Sequence, residues 1–261
     1  MADPRPYDPE WIEAERARMA DIIARHERIV MQFSGGKDSL ASLQMVRDHL
    51  EKITVAWANS GDAFPETVEL MDAVRARVPY FVEIKADQPS HIAAMGWPVD
   101  LLPVSRTPLG RIVNRHNLPI MQGWPVCCGA NLWGPMVNFL REFRPTLVIL
   151  GTKATDERKG LDCDGSIVDG AEVLLPVHKW THDQVFAFLK REGVEIPEYY
   201  TFGTTSLVCR HCTAFVAENS GKMRYMRERH PVDFGEVQRR LREIKRAVSV
   251  DNAALDACII G

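Results

Sequence analysis

Ile29-Val30-Met31-Gln32-Phe33-Ser34-Gly35-Gly36-Lys37-Asp38-Ser39-Leu40 is the stretch on which the fold turns. Its first five residues are short, apolar and strand-like. A helical pattern follows the loop through Leu40, Leu43, Met45, Val46 and Leu50. The two glycines let the backbone fold tightly with N–H groups turned inward, and a helix start adds partial positive charge. The result is an anion site. Ser34 and Ser39 can donate hydroxyl hydrogen bonds, Lys37 brings a charge, and Asp38 can hold Mg²⁺ or water. The spacing is not the G-x-x-x-x-G-K-[ST] of kinases and GTPases.

Outward from this loop, residues from about Glu10 to Arg28 read as an amphipathic helix with Trp11, Met19, Ile22 and Ile23 inward. Ile53 to Ala58 and Pro65 to Arg77 make a second strand–helix unit. Further strands are expected at Phe81 to Ile84, Leu147 to Leu150 and Val173 to Val177. Thr181 is the expected N-cap of a helix reaching about Glu192. Apolar strands alternating with helices predict an α/β, doubly wound, mostly parallel sheet covered on both faces. The expected division is an N-terminal helical segment (1–27), a nucleotide-binding and cysteine-bearing domain (28–215), and a small C-terminal helical appendage (216–261). Residues from about 85 to 125, rich in Pro, Trp and Gly, give no regular assignment. The Gly/Asp-rich stretch from Thr152 to Gly170 reads as a long mobile loop.

Composition narrows the class. With 46% hydrophobic and 26% charged residues among 261, the chain is an ordinary globular protein, not a collagen, a disordered tail or a disulfide miniprotein. A formal charge of −3 offers no global attraction for nucleic acid. One local candidate is Lys222 to Arg246, with nine Lys/Arg against four acids. It reads equally as a backbone-contacting surface or as the solvated face of a helix carrying Val237, Leu241 and Ile244 inward. The chain has no apolar run near the roughly 18 residues of a membrane span, and no signal-peptide core at its start. A cytoplasmic protein without membrane contact is expected, its oligomeric state open, a homo-oligomer included.

Six cysteines in such a chain point to a metal or catalytic role. Four form the pairs Cys127-Cys128 and Cys209-x-x-Cys212; Cys163 and Cys258 stand alone. Two distant pairs can converge on one tetrahedral sulfur site, either Zn²⁺ or [4Fe–4S]. Zinc sites usually draw on C-x-x-C knuckles, and inert buried thiols are the remaining reading.

The Ser34–Ser39 loop resembles the pyrophosphate loop of the ATP pyrophosphatase, or adenine nucleotide α-hydrolase, superfamily. Asn59-Ser60-Gly61-Asp62-Ala63-Phe64-Pro65-Glu66-Thr67 is similar to a segment of phosphoadenylylsulfate (PAPS) reductase relatives. So are Gly151-Thr152-Lys153 through Glu157-Arg158, and Leu175 to Thr181 with the helix after it. The resemblance covers about residues 28 to 215. It implies that Ser34, Gly35, Gly36, Lys37, Asp38, Ser39, Asn59, Gly61 and Gly151 bind ATP with Mg²⁺, and that Lys37, Asp38, Lys153 and Arg158 act on its phosphates. Cys-Cys, eighty residues, then Cys-x-x-Cys-Thr resembles the [4Fe–4S] signature of adenylylsulfate reductases and of the sulfur-inserting enzymes of DNA phosphorothioation. It implies Cys127, Cys128, Cys209 and Cys212 as ligands.

The chain departs from the reductases at three places. Gly129 to Leu140 contains no Lys or Arg; the tail holds only Cys258 where they carry a catalytic cysteine; and the phosphate loop is intact. The intact loop favours ATP cleavage to AMP and pyrophosphate, in sulfur transfer to nucleic acid with sulfur from a cysteine desulfurase. The other expectations are a reductase working with thioredoxin through Cys258, and a nucleotide-sensing subunit without turnover. Cys163, flanked by Asp162 and Asp164, reads as incidental, because the carboxylates disfavour its thiolate.

Overall fold

The computed structural model describes residues 8–114, 119–154, 163–204, 206–215 and 220–258. It divides into two compact units that interleave along the chain. One comprises Met1–Ala58, Pro65–Ile84 and Met136–Pro197; the other comprises Asn59–Phe64, Lys85–Pro135 and Glu198–Gly261.

The first unit is built on a six-stranded sheet. In chain order its strands are β1 (Ile29–Gln32), β2 (Ile53–Asn59) and β3 (Tyr80–Lys85), then β6 (Leu147–Ile149), β7 (Ile167–Val168) and β8 (Ala171–Leu174). They lie side by side as β3-β2-β1-β6-β8-β7. β1 pairs in parallel with both β2 and β6, and β6 with β8; β7 closes the edge antiparallel to β8. Val30, Met31, Val55, Ala56, Leu147, Ile149, Val173 and Leu174 are all buried. Such continuous burial is what a parallel sheet covered on both faces requires. Around the strands run α1 (Pro9–Ala24), α2 (Lys37–Met45), α3 (Pro65–Arg75), α7 (Gly134–Phe143) and α8 (His182–Arg191). α7 lays Met136, Phe139, Leu140 and Phe143 against Val30 and Ala56.

Most expected elements stand, with local corrections. In α1 the buried residues are Ile12, Met19 and Ile23; Trp11 is half-buried, 5.7 Å from the ring of Trp180, and Ile22 is also half-buried. The last strand begins earlier than expected and stops at Leu174. The expected loop after β6 is not structureless, since it contains β7. Thr181 does cap α8, in a reciprocal capping box with Gln184.

The second unit fills much of the stretch that gave no regular assignment. It contains α4 (Gln88–Met95), a short parallel pair of β4 (Trp97–Val99) and β5 (Met121–Gly123), α5 (Pro108–Asn114) and α6 (Trp124–Cys128). Two C-terminal helices follow, α9 (Ser220–Arg229) and α10 (Pro231–Asp256). Its core gathers Phe64, Tyr199, Leu207, Tyr225, Met226 and Val237. Leu241 packs on this cluster and Ile244 on a second one around Met121, so α10 buries the face expected of it. Among the described residues, no helix is long and apolar enough to cross a membrane.

Candidate functional site

From β1 the chain first builds β2 and β3 on one side, then returns to add β6 on the other. At such a reversal of strand order the loops leaving the two central strands stand next to each other, which is where open α/β sheets bind ligands. Here those loops are 33–36 and 150–154. Gly35 takes a φ of +77°, which an L side chain rarely adopts, and no side chain caps the start of α2. Ser34 Oγ lies 3.3 Å from Ser39 Oγ, and Ser39 donates to the Gly36 carbonyl at 2.9 Å.

Charge is concentrated above this turn. Asp38 Oδ2 is 2.7 Å from Lys37 Nζ and 2.7 Å from Lys153 Nζ. Both lysines are buried, Lys153 to 1% exposure. The expectation that Lys153 rides on a mobile loop is therefore corrected: it is fixed beneath the surface, one strand over from the phosphate loop. Asp38 Oδ1 is also buried and has no hydrogen-bond partner among the described residues, so a cation or water can take it. Two ammonium groups over one carboxylate leave a positive surplus at a helix N-terminus, the arrangement that attracts phosphate. Gly151 completes the seat, because a Cβ there would stand 2.8 Å from Ser39 N and 2.9 Å from Asp38 C. Arg158 falls outside the described residues.

Asn59 and Gly61 belong to a turn in the second unit. Asn59 Oδ1 accepts from Gly61 N at 2.9 Å, and Ser60 Oγ accepts from Asp62 N at 3.2 Å. Gly61 has a φ of +85°, and a Cβ on it would lie 2.6 Å from the Ala86 carbonyl oxygen. The close approach is fixed by hydrogen bonds from Ala86 N to Asn59 O and from Gln88 N to Ser60 O, both 2.8 Å. This joins the turn to the start of α4.

The cysteine pairs meet this turn. Gln88 Nε2 donates to Cys127 Sγ at 3.3 Å, and Cys209 Sγ lies 3.5 Å from Ser60 Oγ. Cys212 is close enough to act electrostatically on both Cys127 and Cys209; Cys128 is half-buried. Asp62 holds the C-x-x-C loop. Its backbone carbonyl accepts from Arg210 N, while its carboxylate accepts from His211 N and pairs with His211 Nδ1, both at 2.9 Å. His211 Nε2 reaches Asp233 at 3.0 Å. Burial works to raise the pKa of Asp62, but the hydrogen bonds and charge of His211 outweigh it and keep the carboxyl below its usual range. The Asp62 hydrogen bond in turn raises His211 against the effect of burial. The thiols behave otherwise: burial raises Cys127, and pushes Cys209 up to about 11. Immediately after Cys128 the helix widens into a π-turn, Gly129–Trp133, a distortion frequent at functional sites.

A match to the model of the phosphoadenosine phosphosulfate reductase domain spans residues 28–215. The chain belongs to that family. One curated relative is an uncharacterized 37.8 kDa protein of Escherichia phage 186, 24% identical over 220 residues; the match spans 70% of this chain and 66% of that protein. In structure the chain is similar to PAPS reductase from Candida auris, in a phosphate complex, and to yeast FAD synthetase in complex with FAD. Their TM-scores are both 0.50, at 14% and 13% identity, covering 80% and 77% of this chain and 98% and 64% of those chains. At these identities the likeness is one of fold. It agrees with the mostly parallel sheet and its flanking helices.

The family domain brings Ser34, Gly35, Gly36, Lys37, Asp38, Ser39, Gly151 and Lys153 together in one unit, and the cysteine pairs with Asn59 and Gly61 in the other. Among the described residues, no group of three or more His, Cys, Asp or Glu side chains is arranged to hold a metal ion as it stands. The chemistry around the sulfurs nevertheless suits a metal–thiolate centre. Cys127 and Cys209 both lie within electrostatic reach of Cys212, an amide N–H points at Cys127, and a buried ammonium, Lys222 Nζ, donates to the carbonyls of Cys209 and Cys212 at 2.7 and 3.3 Å. Sequence reasoning missed Asp62, Gln88, His211 and Lys222 as parts of this site. Asp62 and His211 lie inside motifs it quoted; Gln88 and Lys222 carry no local signal. Cys163 and Cys258 are exposed.

Proposed function

We propose that this protein is an ATP pyrophosphatase of the PAPS reductase family that adenylates an acceptor for sulfur transfer. The observation that carries the reading is the pair of buried lysines sharing the Asp38 carboxylate at the intact 34–39 loop. In this reading the β and γ phosphates of ATP lie on the loop amides and the Ser34 and Ser39 hydroxyls. Asp38 Oδ1 would hold Mg²⁺, which supplies charge neutralisation on the phosphates when bound. An acceptor oxygen attacks the α-phosphorus, the bond to the β-bridging oxygen breaks, and pyrophosphate leaves with both electrons of that bond. Lys37 and Lys153 turn from Asp38 to the phosphate oxygens, where they stabilise the charge building on the leaving group. The terminal sulfur of a persulfide, from a donor such as a cysteine desulfurase, then attacks the adenylated centre and expels AMP, and a thiol reductant cleaves the S–S bond so formed to leave the thiolated acceptor. The proposed acceptor is a nucleic acid, as in DNA phosphorothioation.

Cys127, Cys128, Cys209 and Cys212 would hold a [4Fe–4S] cluster in the same reading. Such a cluster supplies a polarisable, electron-accepting centre when bound. The turn at Asn59–Asp62 positions its cysteines, and Gln88 orients Cys127.

A second reading, reduction of adenylylsulfate or its 3′-phosphorylated form to sulfite with thioredoxin, is supported by the family match and by the exposure of Cys258 after α10. One experiment separates the two. Anaerobically purified protein is incubated with Mg-ATP, AMP and pyrophosphate are assayed, and a Ser34→Ala/Lys37→Ala double variant serves as control. Release of both products that the double variant loses is expected. Sulfite formation from adenylylsulfate without ATP cleavage, abolished by Cys258→Ser, would replace the first reading with the second.

A further inference from the structure

Trp133 ends the π-turn that follows the Cys127-Cys128 pair, and it stands 50% exposed. Its ring meets that of Trp124 edge-on at 5.9 Å, and Trp124 meets Phe215 at 4.7 Å. Such contacts fix rings without stacking them on one another, and half of Trp133 is left open. Phe215 is held there at a cost. Its φ is +61°, rare for a residue with a side chain, and both carboxylate oxygens of Asp100 accept from Phe215 N, at 2.8 and 3.1 Å. Backbone strained in this way collects where ligands bind, and so do π-turns.

Asp100 follows β4, and the other end of β4 is cationic. Arg239 and Arg240 lie 5.5 and 5.8 Å from the ring of Trp97, the first residue of that strand. From Glu236 to Arg246, α10 carries five Arg or Lys against two Glu, and Arg242, Lys245 and Arg246 are exposed. The extended chain from Trp97 to Asp100 spans about 10 Å, the length of about three stacked nucleotides at about 3.4 Å each. A surplus of cations selects a polyanion. Open aromatic rings select one whose own π faces are unstacked, which a single nucleic-acid strand offers and a duplex hides.

We propose that Trp133, backed by Trp124 and Phe215, is the stacking platform of a binding site for single-stranded DNA, with Arg242, Lys245 and Arg246 on its phosphates. The inference rests on the nucleic-acid acceptor proposed above and deepens it, since it names the form of that acceptor and the surface that takes it.

The test is fluorescence anisotropy with a short labelled single strand of DNA, an abasic strand of the same length, the matching duplex and an RNA strand of the same sequence, each over a range of salt. Wild type should bind the base-bearing DNA strand at least about tenfold more tightly than the abasic strand or the duplex. Trp133→Ala should lose that advantage yet bind the abasic strand as wild type does, while Trp133→Phe, which keeps a stacking face, should stay within a few-fold of wild type. Replacing Arg242, Lys245 and Arg246 together by Gln should weaken both DNA strands and flatten the log–log salt dependence by about 2, at about 0.7 per phosphate of a single strand. Should a variant not fold, the comparison of base-bearing and abasic strands on wild type decides. Equal affinity for those two strands, tighter binding of the duplex or of RNA, an undiminished advantage in Trp133→Ala, or no binding at all would overturn the inference. AMP and pyrophosphate release from Mg-ATP is assayed on the same preparation with the strand present. Strand binding without release defeats the pyrophosphatase reading alone; release without strand binding defeats this inference alone.

Discussion

Gly151 offers a sharp test of whether the loops after β1 and β6 form one phosphate seat. Replacing it by alanine places a Cβ 2.8 Å from Ser39 N, 2.9 Å from Asp38 C and 3.1 Å from Asp38 O. Ordinary van der Waals contact begins at 3.4 Å, so the shortest of these falls 0.6 Å short. The atoms in the way are backbone at the first turn of α2, which no rotamer change can move. Overpacking of this kind costs about 1–3 kcal/mol, and in a chain of this size it should lower the melting temperature by several degrees. Nucleotide binding should suffer separately, because Ser39 N belongs to the first turn of α2, whose amides have no partner within the helix and are open to an anion. Losing one charge-assisted hydrogen bond, worth roughly 1.5–3 kcal/mol, weakens ATP about tenfold to a hundredfold. Calorimetric titration with a non-hydrolysable ATP analogue reads the second effect, and a thermal melt the first. Gly235→Ala is the matched control: nothing lies within 4 Å of a Cβ there, so the same substitution in α10 should be neutral or stabilising by about 1 kcal/mol. A Gly151→Ala protein with wild-type affinity and wild-type melting would refute the shared seat.

Four further outcomes follow from the same contacts. Lys153→Met leaves Asp38 paired with Lys37, so the fold should persist while ATP affinity drops roughly tenfold or more; binding isotherms check this beside a melt. Asp62→Asn removes the charge that fixes the His211 ring and backbone, and should cost about 3 kcal/mol and reduce iron uptake on reconstitution. Glu236 is held at about 2, chiefly by its hydrogen bond from Arg239. A depressed carboxyl stabilises above its ordinary pKa of about 4.5 and loses that contribution as pH falls through about 2; with a third of the side chain exposed the effect should stay under about 1 kcal/mol, and acid unfolding of Glu236→Gln, followed by circular dichroism, should be less steep. Of the nine basic residues from 222 to 246, Lys222 is buried, Arg224 donates to the Phe202 carbonyl, Arg229 pairs with Glu198, and Arg239 and Arg240 pair with Glu236. The exposed Arg224, Arg227, Arg229, Arg239, Arg242, Lys245 and Arg246 limit any nucleic-acid contact through this stretch to seven phosphates, hence a log–log salt slope no steeper than about −6.3; a steeper slope would require a different surface.

What could be read from the sequence was what neighbouring residues decide among themselves. The strand, glycine turn and helix of 29–45 follow one another directly, and Thr181 meets its capping partner Gln184 within one turn. The strand expected at Val173–Val177 ends early, at Leu174, for a local reason that periodicity hides. Leu175 and Val177 are buried and apolar, yet Pro176 between them has no N–H for a ladder, so the apolar run outlasts the pairing. The tract from 85 to 125 defeated the reading because its strands are three residues long, and short strands exist only by virtue of partners elsewhere in the chain.

The site divides along the same line. Motifs, and the family resemblance they carry, name the residues that would touch a phosphate or a metal, because such ligands demand particular atoms. They do not name the residues that hold those atoms in place. Lys153 is buried because strand order sets β6 beside β1, and nothing within several residues of it encodes that. Asp62 clamps His211 across nearly 150 positions, while Gln88 reaches Cys127 from a helix that the sequence did not announce. Lys222 is the extreme case: within a basic run it reads as one more solvated charge, and only the packing of α9 under the C-x-x-C loop separates it from its neighbours. A buried ammonium whose partners are the carbonyls of two cysteines is thus informative in a way its sequence context is not. Its hydrogen bonds to the Cys209 and Cys212 carbonyls tie α9 to the C-x-x-C loop, so the loop's geometry depends on a residue ten or more positions away.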